Sequence, residues 1–127
     1  MAIIDTIVDS QGDLSVFAVN GELTADEIIE RVEEYYTKHP TKLVLWIMGD
    51  VDLSAITREG IERIIQTAKK NTGKRKEGKT AIVGSKDIEY GLARMYEAYA
   101  GFENLPYEYK IFKEVDEAKE WLGVLQY

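Results

Sequence analysis

The sequence predicts a single α/β domain with a five-stranded, mostly parallel sheet, an N-terminal antiparallel hairpin and about four helices. The first observation is a pair of short extended segments, Ile3–Asp9 and Leu14–Asn20, joined by a turn. The second is a series of three units in which an amphipathic helix leads into an apolar strand. A closing helix over Val115–Leu122 completes the order, and such alternation of helices and strands is typical of parallel sheets.

Length and composition fit one domain of ordinary size. A chain of 127 residues can bury a core without cross-links, and the absence of cysteine excludes disulfides and thiolate metal sites. The start of the chain has no basic leader. The longest apolar run, Leu43–Met48, is much shorter than the roughly 20 residues that a membrane helix needs. We therefore expect a cytoplasmic protein with no membrane span.

The charge of the chain is unevenly distributed. The net charge of −7 argues against general nucleic-acid binding, because a polyanion would be repelled. One stretch, Lys69–Lys79, holds six basic residues and one acidic residue, a local charge of +5. We interpret this stretch mainly as a solvated loop whose lysines stabilise the carboxyl end of the preceding helix. An anionic partner or a nucleic acid bound by the same loop is the alternative.

The amino-terminal part predicts a hairpin followed by a helix. Gly12 is placed to turn the hairpin, and the apolar second strand is expected inside the sheet. Gly21 is expected to end that strand. Thr24 and Glu27 form the pattern of a capping box at a helix start, and Pro40 stops the helix. The inner stripe of this helix is expected to hold Ile28, Ile29, Val32, Tyr35 and Tyr36.

The middle of the chain predicts two buried parallel strands with a helix between them. Lys42–Met48 and Lys79–Gly84 are apolar runs typical of strands that are covered on both faces. The first strand is expected to lead into a loop, Gly49–Thr57. The helix after this loop should bury Ile61, Ile64, Ile65 and Ala68.

The carboxyl-terminal part predicts a further helix, a last strand and the closing helix. Ser85 is placed to cap the further helix, and Gly101 is expected to end it. Tyr107–Phe112 is the expected last strand. The inner stripe of the further helix is expected to hold Ile88, Leu92, Met95, Tyr96 and Tyr99, and the closing helix is expected to be anchored by Val115, Ala118, Trp121 and Leu122.

Two segments of the carboxyl-terminal part resemble a known family. The run KTAIVGSKDIEYGLARMYEAYAG is followed by PYEYKIFKEVDEAKEWLG, so a buried strand, an arginine-bearing helix, an aromatic-ended strand and a closing DEAxxWL pattern occur in order. Over about residues 79–123 the chain resembles SpoIIAA-like or STAS domains, specifically the bacterial STAS/SEC14-like branch. The resemblance implies helices against the sheet and a regulatory or binding role in place of catalysis. Its SEC14-like side implies a pocket for an apolar ligand.

The resemblance also implies a place for a phosphorylation switch. In the anti-sigma-factor antagonists a phosphorylated serine lies at the start of the helix after the third strand. Alignment on Gly60 puts Arg58 at that position, and Ser54 and Thr57 are the nearby hydroxyl residues that could replace it. Glu59 and the neighbouring aspartates would repel a phosphate there, which argues against the switch.

The loops that follow the strands predict a binding site at one edge of the sheet. In a parallel sheet, ligands gather beyond the carboxyl ends of the strands, where helix starts present free N–H groups. The loops Gly21–Thr24, Gly49–Thr57 and Gly84–Asp87 each open with glycine and are expected to meet there, Gly49 beside Gly84. The simpler interpretation is that each glycine only allows a sharp turn, and for isolated glycines we favour it.

Asp50 and Asp52 raise the alternative of a magnesium-dependent enzyme that handles phosphate. Two carboxylates at this spacing after a buried strand can hold Mg²⁺ or present a nucleophile. A glycine separates them from the strand and no later aspartate pair is evident, so solvated carboxylates are the favoured interpretation. No other catalytic constellation stands out. We expect no enzyme activity, no metal and no cofactor.

Several single residues also have both a functional and a structural interpretation. His39, the only histidine, lacks partners for a triad or a zinc site and is expected at the surface. Arg94 either binds an anionic group or lies along its helix with a solvated head, and we favour the second. Tyr90 and Phe102 are expected to be exposed. Together with the hairpin edge they are candidates for a homodimer contact.

These observations predict a non-enzymatic module that engages a protein partner or a small, apolar ligand at the carboxyl-end rim of the sheet. The residues expected to contribute are Gly49, Asp50, Asp52, Ser54, Thr57, Arg58, Gly84, Ser85 and Arg94.

Overall fold

The structure is a computed structural model that describes residues 2–9, 11–38, 40–75, 78–84, 86, 91, 94, 96 and 107–124. Within these residues, strands and α-helices follow one another in an order that agrees with the prediction. The elements are β1 (Ile3–Asp9), β2 (Leu14–Glu22), α1 (Ala25–Lys38), β3 (Leu43–Asp52), α2 (Arg58–Lys70), a 3₁₀ turn (Thr72–Lys74), β4 (Lys79–Gly84), β5 (Glu108–Phe112) and α3 (Val115–Leu122).

The strands form one mixed sheet in the order β1-β2-β3-β4-β5. β1 and β2 pair antiparallel, and every later pair is parallel. This confirms the hairpin, the parallel sheet and the inner position of β2. The prediction of about four helices exceeds the three whose bounds the structure describes. The predicted helix between Ser85 and Gly101 lies mostly outside the described residues, of which Gly91, Arg94 and Tyr96 are helical.

The start of α1 shows how local sequence sets an element. The Thr24 Oγ1 accepts a hydrogen bond from the Glu27 amide at 3.2 Å, and the Glu27 Oε1 accepts one from the Thr24 amide at 3.0 Å. This reciprocal pair is the capping box that the sequence predicts. The second Glu27 oxygen accepts a hydrogen bond from the Ala2 amide at 3.0 Å, so the same side chain also fastens the chain beside β1.

The sheet separates the core into two parts. We call the side covered by α1 and α2 the α1/α2 face, and its buried cluster consists of Phe17, Val19, Leu23, Tyr35, Tyr36, Val44, Trp46, Val51, Leu53, Ile82, Tyr107 and Ile111. We call the opposite side the α3 face, and its buried cluster consists of Leu14, Val16, Leu45, Ala81, Val83, Ala118 and Leu122. Alternating residues of β2, β3 and β4 supply the two clusters, as the period of a β-strand requires.

The hairpin turn differs from the prediction in which residue takes the unusual backbone conformation. Gly12 does not have a positive φ, whereas Asp13 has a φ of 50°. Aspartate tolerates this left-handed region better than most residues. The Asp9 Oδ1 accepts hydrogen bonds from the amides of Gln11 and Gly12, so a side chain supplies the turn with its acceptor.

The strands β2 and β3 run further than predicted. Gly21 does not end β2, which continues to Glu22, and β3 continues to Asp52. Val19 pairs with Met48 and Gly21 pairs with Val51, so two residues of β3 stand opposite Asn20 alone. This β-bulge lets the ladder resume beyond the irregularity. Gly49, Asp50 and Asp52 therefore belong to a strand, whereas the sequence predicts a loop.

Candidate ligand-binding cavity

The bulge explains the glycine at position 49. A Cβ atom there would lie 2.5 Å from the Asn20 Oδ1 and 3.2 Å from the Val19 carbonyl oxygen, so a larger residue would collide. The Asn20 Oδ1 accepts a hydrogen bond from the Asp50 amide at 3.0 Å, which satisfies an N–H that the bulge leaves outside the ladder. Gly49 thus has a structural role that the sequence interpretation did not include.

The predicted rim is formed in part. Met48 pairs with Gly84, so Gly49 and Gly84 lie at the same edge of the sheet, as expected. The exposed Asp50 carboxylate forms an ion pair with Lys86 at 3.1 Å, which links β3 to the residues that follow β4. Ser85 lies outside the described residues.

The Asp52 carboxylate is engaged by its own loop. Its Oδ1 accepts a hydrogen bond from the Ser54 amide at 2.9 Å, and hydrogen bonds from the Ser54 side chain and backbone lower the pKa of Asp52. Among the described residues no group of three or more His, Cys, Asp or Glu side chains converges as a metal site would require.

The remaining predicted residues surround the start of α2 or lie on an exposed helical position. Thr57 is the N-cap of α2, and its Oγ1 accepts a hydrogen bond from the Gly60 amide at 3.1 Å. Arg58 is exposed and forms an ion pair with Glu62 at 3.6 Å. Arg94 is helical and exposed. The predictions for His39, Tyr90 and Phe102 fall outside the described residues.

A cavity lies beneath this rim, on the α1/α2 face. It is a cavity of about 100 Å³, several times the roughly 10–15 Å³ that one water occupies on the same measure. Its described walls come from both covering helices, from β3, β4 and β5, and from the segments after β2 and β3. They are Leu23, Ile28, Val32, Trp46, Met48, Leu53, Ile56, Ile61, Ile64, Thr80, Ile82, Tyr96 and Tyr109.

None of the described residues named individually for the rim lines this cavity, although Leu23, Leu53 and Ile56 belong to the loops predicted to form the rim. The sequence interpretation placed most of the other wall residues in apolar stripes and strands and counted them as core. The loop between β3 and α2 joins the two sets, since Leu53 and Ile56 line the cavity while Ser54 and Thr57 are exposed. A sequence signal was present in Thr80, a polar residue inside an apolar strand, but alone it was too weak to indicate a site.

A second, smaller cavity adjoins the first on the α1/α2 face. It measures about 40 Å³ and shares five wall residues with the larger cavity, namely Val32, Trp46, Thr80, Tyr96 and Tyr109. Its other described walls include Phe17, Tyr35, Tyr36, Val44, Ala68 and Arg75. The smaller cavity is therefore a more polar neighbour of the larger one.

Arg75 corrects our interpretation of the basic stretch Lys69–Lys79. Its neighbours Lys69, Lys70 and Lys74 are exposed, as a solvated segment predicts, but Arg75 is only 6% exposed. Its guanidinium donates hydrogen bonds to the carbonyl oxygens of Lys42 and Lys79 and to the Thr80 Oγ1, at 2.8–2.9 Å. It also lies 4.6 Å from the centroid of the Tyr107 ring, within the range of a cation–π contact.

The backbone at Gly78, just before β4, passes close to the Lys42 carbonyl oxygen and to the Arg75 guanidinium. Gly78 has a φ of 156°, and a Cβ atom there would lie 2.0 Å from the Lys42 carbonyl oxygen and 2.9 Å from the Arg75 Nη2. Only glycine lets the backbone pass this close to β3. The position of the buried guanidinium thus depends on a residue three places along the chain.

A group of tyrosine hydroxyls lies around the two cavities. The Tyr36 hydroxyl donates a hydrogen bond to the Tyr107 hydroxyl at 2.8 Å, whereas the Tyr96 and Tyr109 hydroxyls are 3.5 Å apart. Burial raises the pKa of Tyr96 to about 12 and raises the pKa of Tyr109 well above its usual value. Burial also raises the pKa of Tyr36. These hydroxyls therefore remain protonated at neutral pH and can act as hydrogen-bond donors.

Comparison with known proteins identifies the fold. The chain matches no protein-family model and no curated protein sequence. It is similar to the crystal structure of an uncharacterized protein of the DUF3478 family from Shewanella loihica PV-4, described as having a SpoIIAA-like fold. The two chains share 20% identity and superpose with a TM-score of 0.58, over 95% of this chain and 93% of the other.

This likeness shows that the chain has a SpoIIAA-like fold, which confirms the fold that the sequence resemblance implied. Among the described helices, none is long and apolar enough to cross a lipid bilayer.

Proposed function

We propose that this chain is a non-enzymatic binding module that holds a small apolar ligand in the larger cavity of the α1/α2 face. The single observation that carries the proposal is the cavity itself, about 100 Å³ of space with an almost wholly apolar wall. Ligand sites are typically concave and mostly apolar with a few polar groups, so this space is a candidate site. The SpoIIAA-like fold fits a non-enzymatic regulatory module, which supports the same reading.

The character of the wall selects the ligand. Water inside the larger cavity would find few hydrogen-bonding partners, because Thr80, Tyr96 and Tyr109 supply the hydroxyls of the described wall. An apolar molecule that displaces such water gains the free energy of burying its own surface, about 25 cal/mol per Å². The cavity therefore favours an apolar ligand over a polar one.

The rim predicted from the sequence takes a second part in this proposal. The loop after β3 alternates between wall residues, Leu53 and Ile56, and exposed residues, Ser54 and Thr57. A ligand that moves the wall would move the exposed side of the same loop. We place the contact with a protein partner at this loop and the adjacent Asp50 side chain, so that the partner can distinguish the filled module from the empty one.

Native mass spectrometry and fluorescence test the ligand proposal. Trp46 lines the cavity, whereas Trp121 packs on the α3 face, so Trp121→Phe leaves one tryptophan as a reporter of the cavity. We expect gently purified protein to carry a co-purifying small molecule, or the neutral apolar dye N-phenyl-1-naphthylamine to bind and change Trp46 fluorescence. Protein that is empty by mass and leaves the dye unbound would contradict the proposal.

A matched pair of variants locates the binding. Ile56→Phe enlarges a half-buried side chain on the cavity wall and should weaken dye binding several-fold. Ile47→Phe makes the same change at a half-buried residue that packs on the α3 face, and dye binding should persist. Equal effects of the two variants would place the dye outside the cavity.

A further inference from the structure

Arg75 is a buried cation with no carboxylate partner among the described residues. It is 6% exposed, and no Asp or Glu side chain of the described residues lies within ion-pair distance of it. Removing a charge from water is costly, and buried charges in proteins are normally paired with an opposite charge. The three oxygen acceptors and the Tyr107 ring reduce this cost, but they supply no negative charge.

The guanidinium also keeps unused hydrogen-bonding capacity. Three hydrogen bonds account for three of its five N–H groups, and its Nε is buried with no partner in the structure. A buried donor left without an acceptor is rare and requires an explanation. Arg75 is also a wall residue of the smaller cavity.

The two cavities lie side by side, and the smaller one is lined by a cationic side chain whereas the wall of the larger one is almost wholly apolar. Tyr96 and Tyr109 line both cavities and therefore stand at their junction. Their hydroxyls are 3.5 Å apart, at the limit of a hydrogen bond, and they are protonated at neutral pH. Each can donate a stronger hydrogen bond to an anionic oxygen placed between them and Arg75.

We propose that the ligand of this module is an amphipathic monocarboxylic acid, with its carboxylate at Arg75 and its apolar body in the larger cavity. The inference rests on the proposed function and adds the chemical class of the ligand. One carboxylate balances one guanidinium, whereas the double charge of a phosphate monoester would leave a buried negative charge unpaired. Neutral apolar molecules would leave Arg75 and its Nε as they are.

The extent of the two cavities indicates the shape of the acid. Val44 lines the smaller cavity and Met48 lines the larger one, and both belong to β3. Four residues of a strand span about 13 Å at about 3.3 Å per residue. This distance suits an extended medium-chain acid whose tail ends beneath the rim.

Calorimetric titration with decanoate below its critical micelle concentration, and with decanol below its solubility limit, tests the inference. The two molecules share a chain and differ in charge, so we expect decanoate to bind about tenfold more tightly or better. Equal affinities would overturn the assignment of an acid and leave the proposed apolar site intact. Binding of neither molecule would overturn the assignment, and the proposed function would then stand or fall with the dye experiment.

Two variants test the role of Arg75 directly. Arg75→Gln should abolish the preference for decanoate, whereas Arg63→Gln, on an exposed α2 side chain, should keep it. If circular dichroism shows that Arg75→Gln is unfolded, Tyr109→Phe replaces it, because it removes one donor at the junction and leaves the guanidinium in place. Tyr109→Phe should weaken decanoate binding several-fold and leave decanol binding unchanged. An unchanged preference in a folded Arg75→Gln, or in Tyr109→Phe, would overturn the inference.

Discussion

The two faces of the sheet differ in the size of the side chains that cover them and in whether cavities remain between these side chains. The α3 face closes around small residues, Ala81 and Ala118, each fully buried, and no residue of its cluster lines the cavities described above. The α1/α2 face is built from aromatic and long aliphatic side chains and retains two adjoining cavities, a buried arginine and a set of tyrosine hydroxyls. The sheet therefore has one face whose buried cluster lines neither cavity and an opposite face that contains both.

From this difference we infer that the α3 face contributes mainly to stability and the α1/α2 face mainly to binding. Close packing maximises dispersion contacts, and a void forfeits the contacts that would have filled it. A domain can keep such a void on one face when the other face supplies its share of the core. We expect substitutions on the α3 face to act mainly on stability, and substitutions on the α1/α2 face to act mainly on binding.

The sharpest test of the comparison removes a large side chain from each face. Leu45→Ala on the α3 face should lower the free energy of unfolding by about 4 kcal/mol, because Leu45 is fully buried in a filled cluster. Ile64→Ala on the cavity wall should cost about 2 kcal/mol, because part of its surface already faces empty space. Urea unfolding measures both, and a larger loss for Ile64→Ala would contradict the division.

Alkaline pH should act through the α1/α2 face. Its tyrosines have pKa values raised by burial, so the fold favours their protonated forms, and the α3 cluster contains no tyrosine. Their contribution to stability is complete below the unfolded pKa of about 10 and is lost as pH rises through the folded values, about 12 for Tyr96. The free energy of unfolding should fall by about 2 kcal/mol or more between pH 10 and pH 12.

Circular dichroism at fixed urea concentration follows this loss, and Tyr36→Phe, which removes one of the titrating groups, should make it smaller. A stability that stays level between pH 10 and pH 12 would show that these hydroxyls are not sequestered.

Enlarging a valine on each face by one methylene tests the same comparison in the opposite direction, with smaller expected effects. Val83→Ile on the α3 face should destabilise the protein by about 1 kcal/mol or more, because Val83 is buried in a cluster that lines neither cavity, and an added group there must displace its neighbours. Val32→Ile, on the wall shared by both cavities, should change stability by less than about 0.5 kcal/mol. Thermal unfolding compares the two variants. Equal destabilisation would mean that the cavity is not open to side-chain atoms.

The smallest predicted effect distinguishes the hydroxyl pairs within the α1/α2 face. Tyr36→Phe removes a buried hydrogen bond of 2.8 Å to Tyr107 and should cost about 1 kcal/mol. Tyr96→Phe removes a contact of 3.5 Å with Tyr109 and should cost a few tenths of this, roughly 0.3 kcal/mol. Urea unfolding of the two variants gives the comparison, and a greater cost for Tyr96→Phe would place the stronger hydrogen bond at the cavity junction.

Patterns confined to a few neighbouring residues made most of the fold predictable. β4 and α3 have the predicted bounds, and the Thr24–Glu27 capping box has the predicted hydrogen bonds. These features depend on alternation, helical spacing and side-chain-to-backbone contacts within one or two turns. The predicted end of β2 at Gly21 was wrong because the bulge depends on the pairing of β2 with β3, which are distant in the sequence.

The candidate site was much less predictable. The rim was placed at the correct edge of the sheet, since the adjacency of Gly49 and Gly84 follows from the order of parallel strands. The resemblance implied an apolar pocket but did not place it, because most of the wall residues of the cavity have the same apolar periodicity as ordinary core residues. Arg75 was assigned to a solvated stretch, because composition averages over a segment and does not show the contacts of one side chain.

By itself the sequence determined the order of the elements, the parallel sheet and the faces that the helices bury, because each of these follows from the spacing of neighbouring residues. The tertiary structure alone decided where space remains and which polar groups border it. Arg75 reaches the Lys42 carbonyl across 33 residues of chain, and the Tyr36 and Tyr107 hydroxyls meet across 71. Such contacts exist only after the strands and helices have packed, since the local chain places no restriction on which distant groups will converge.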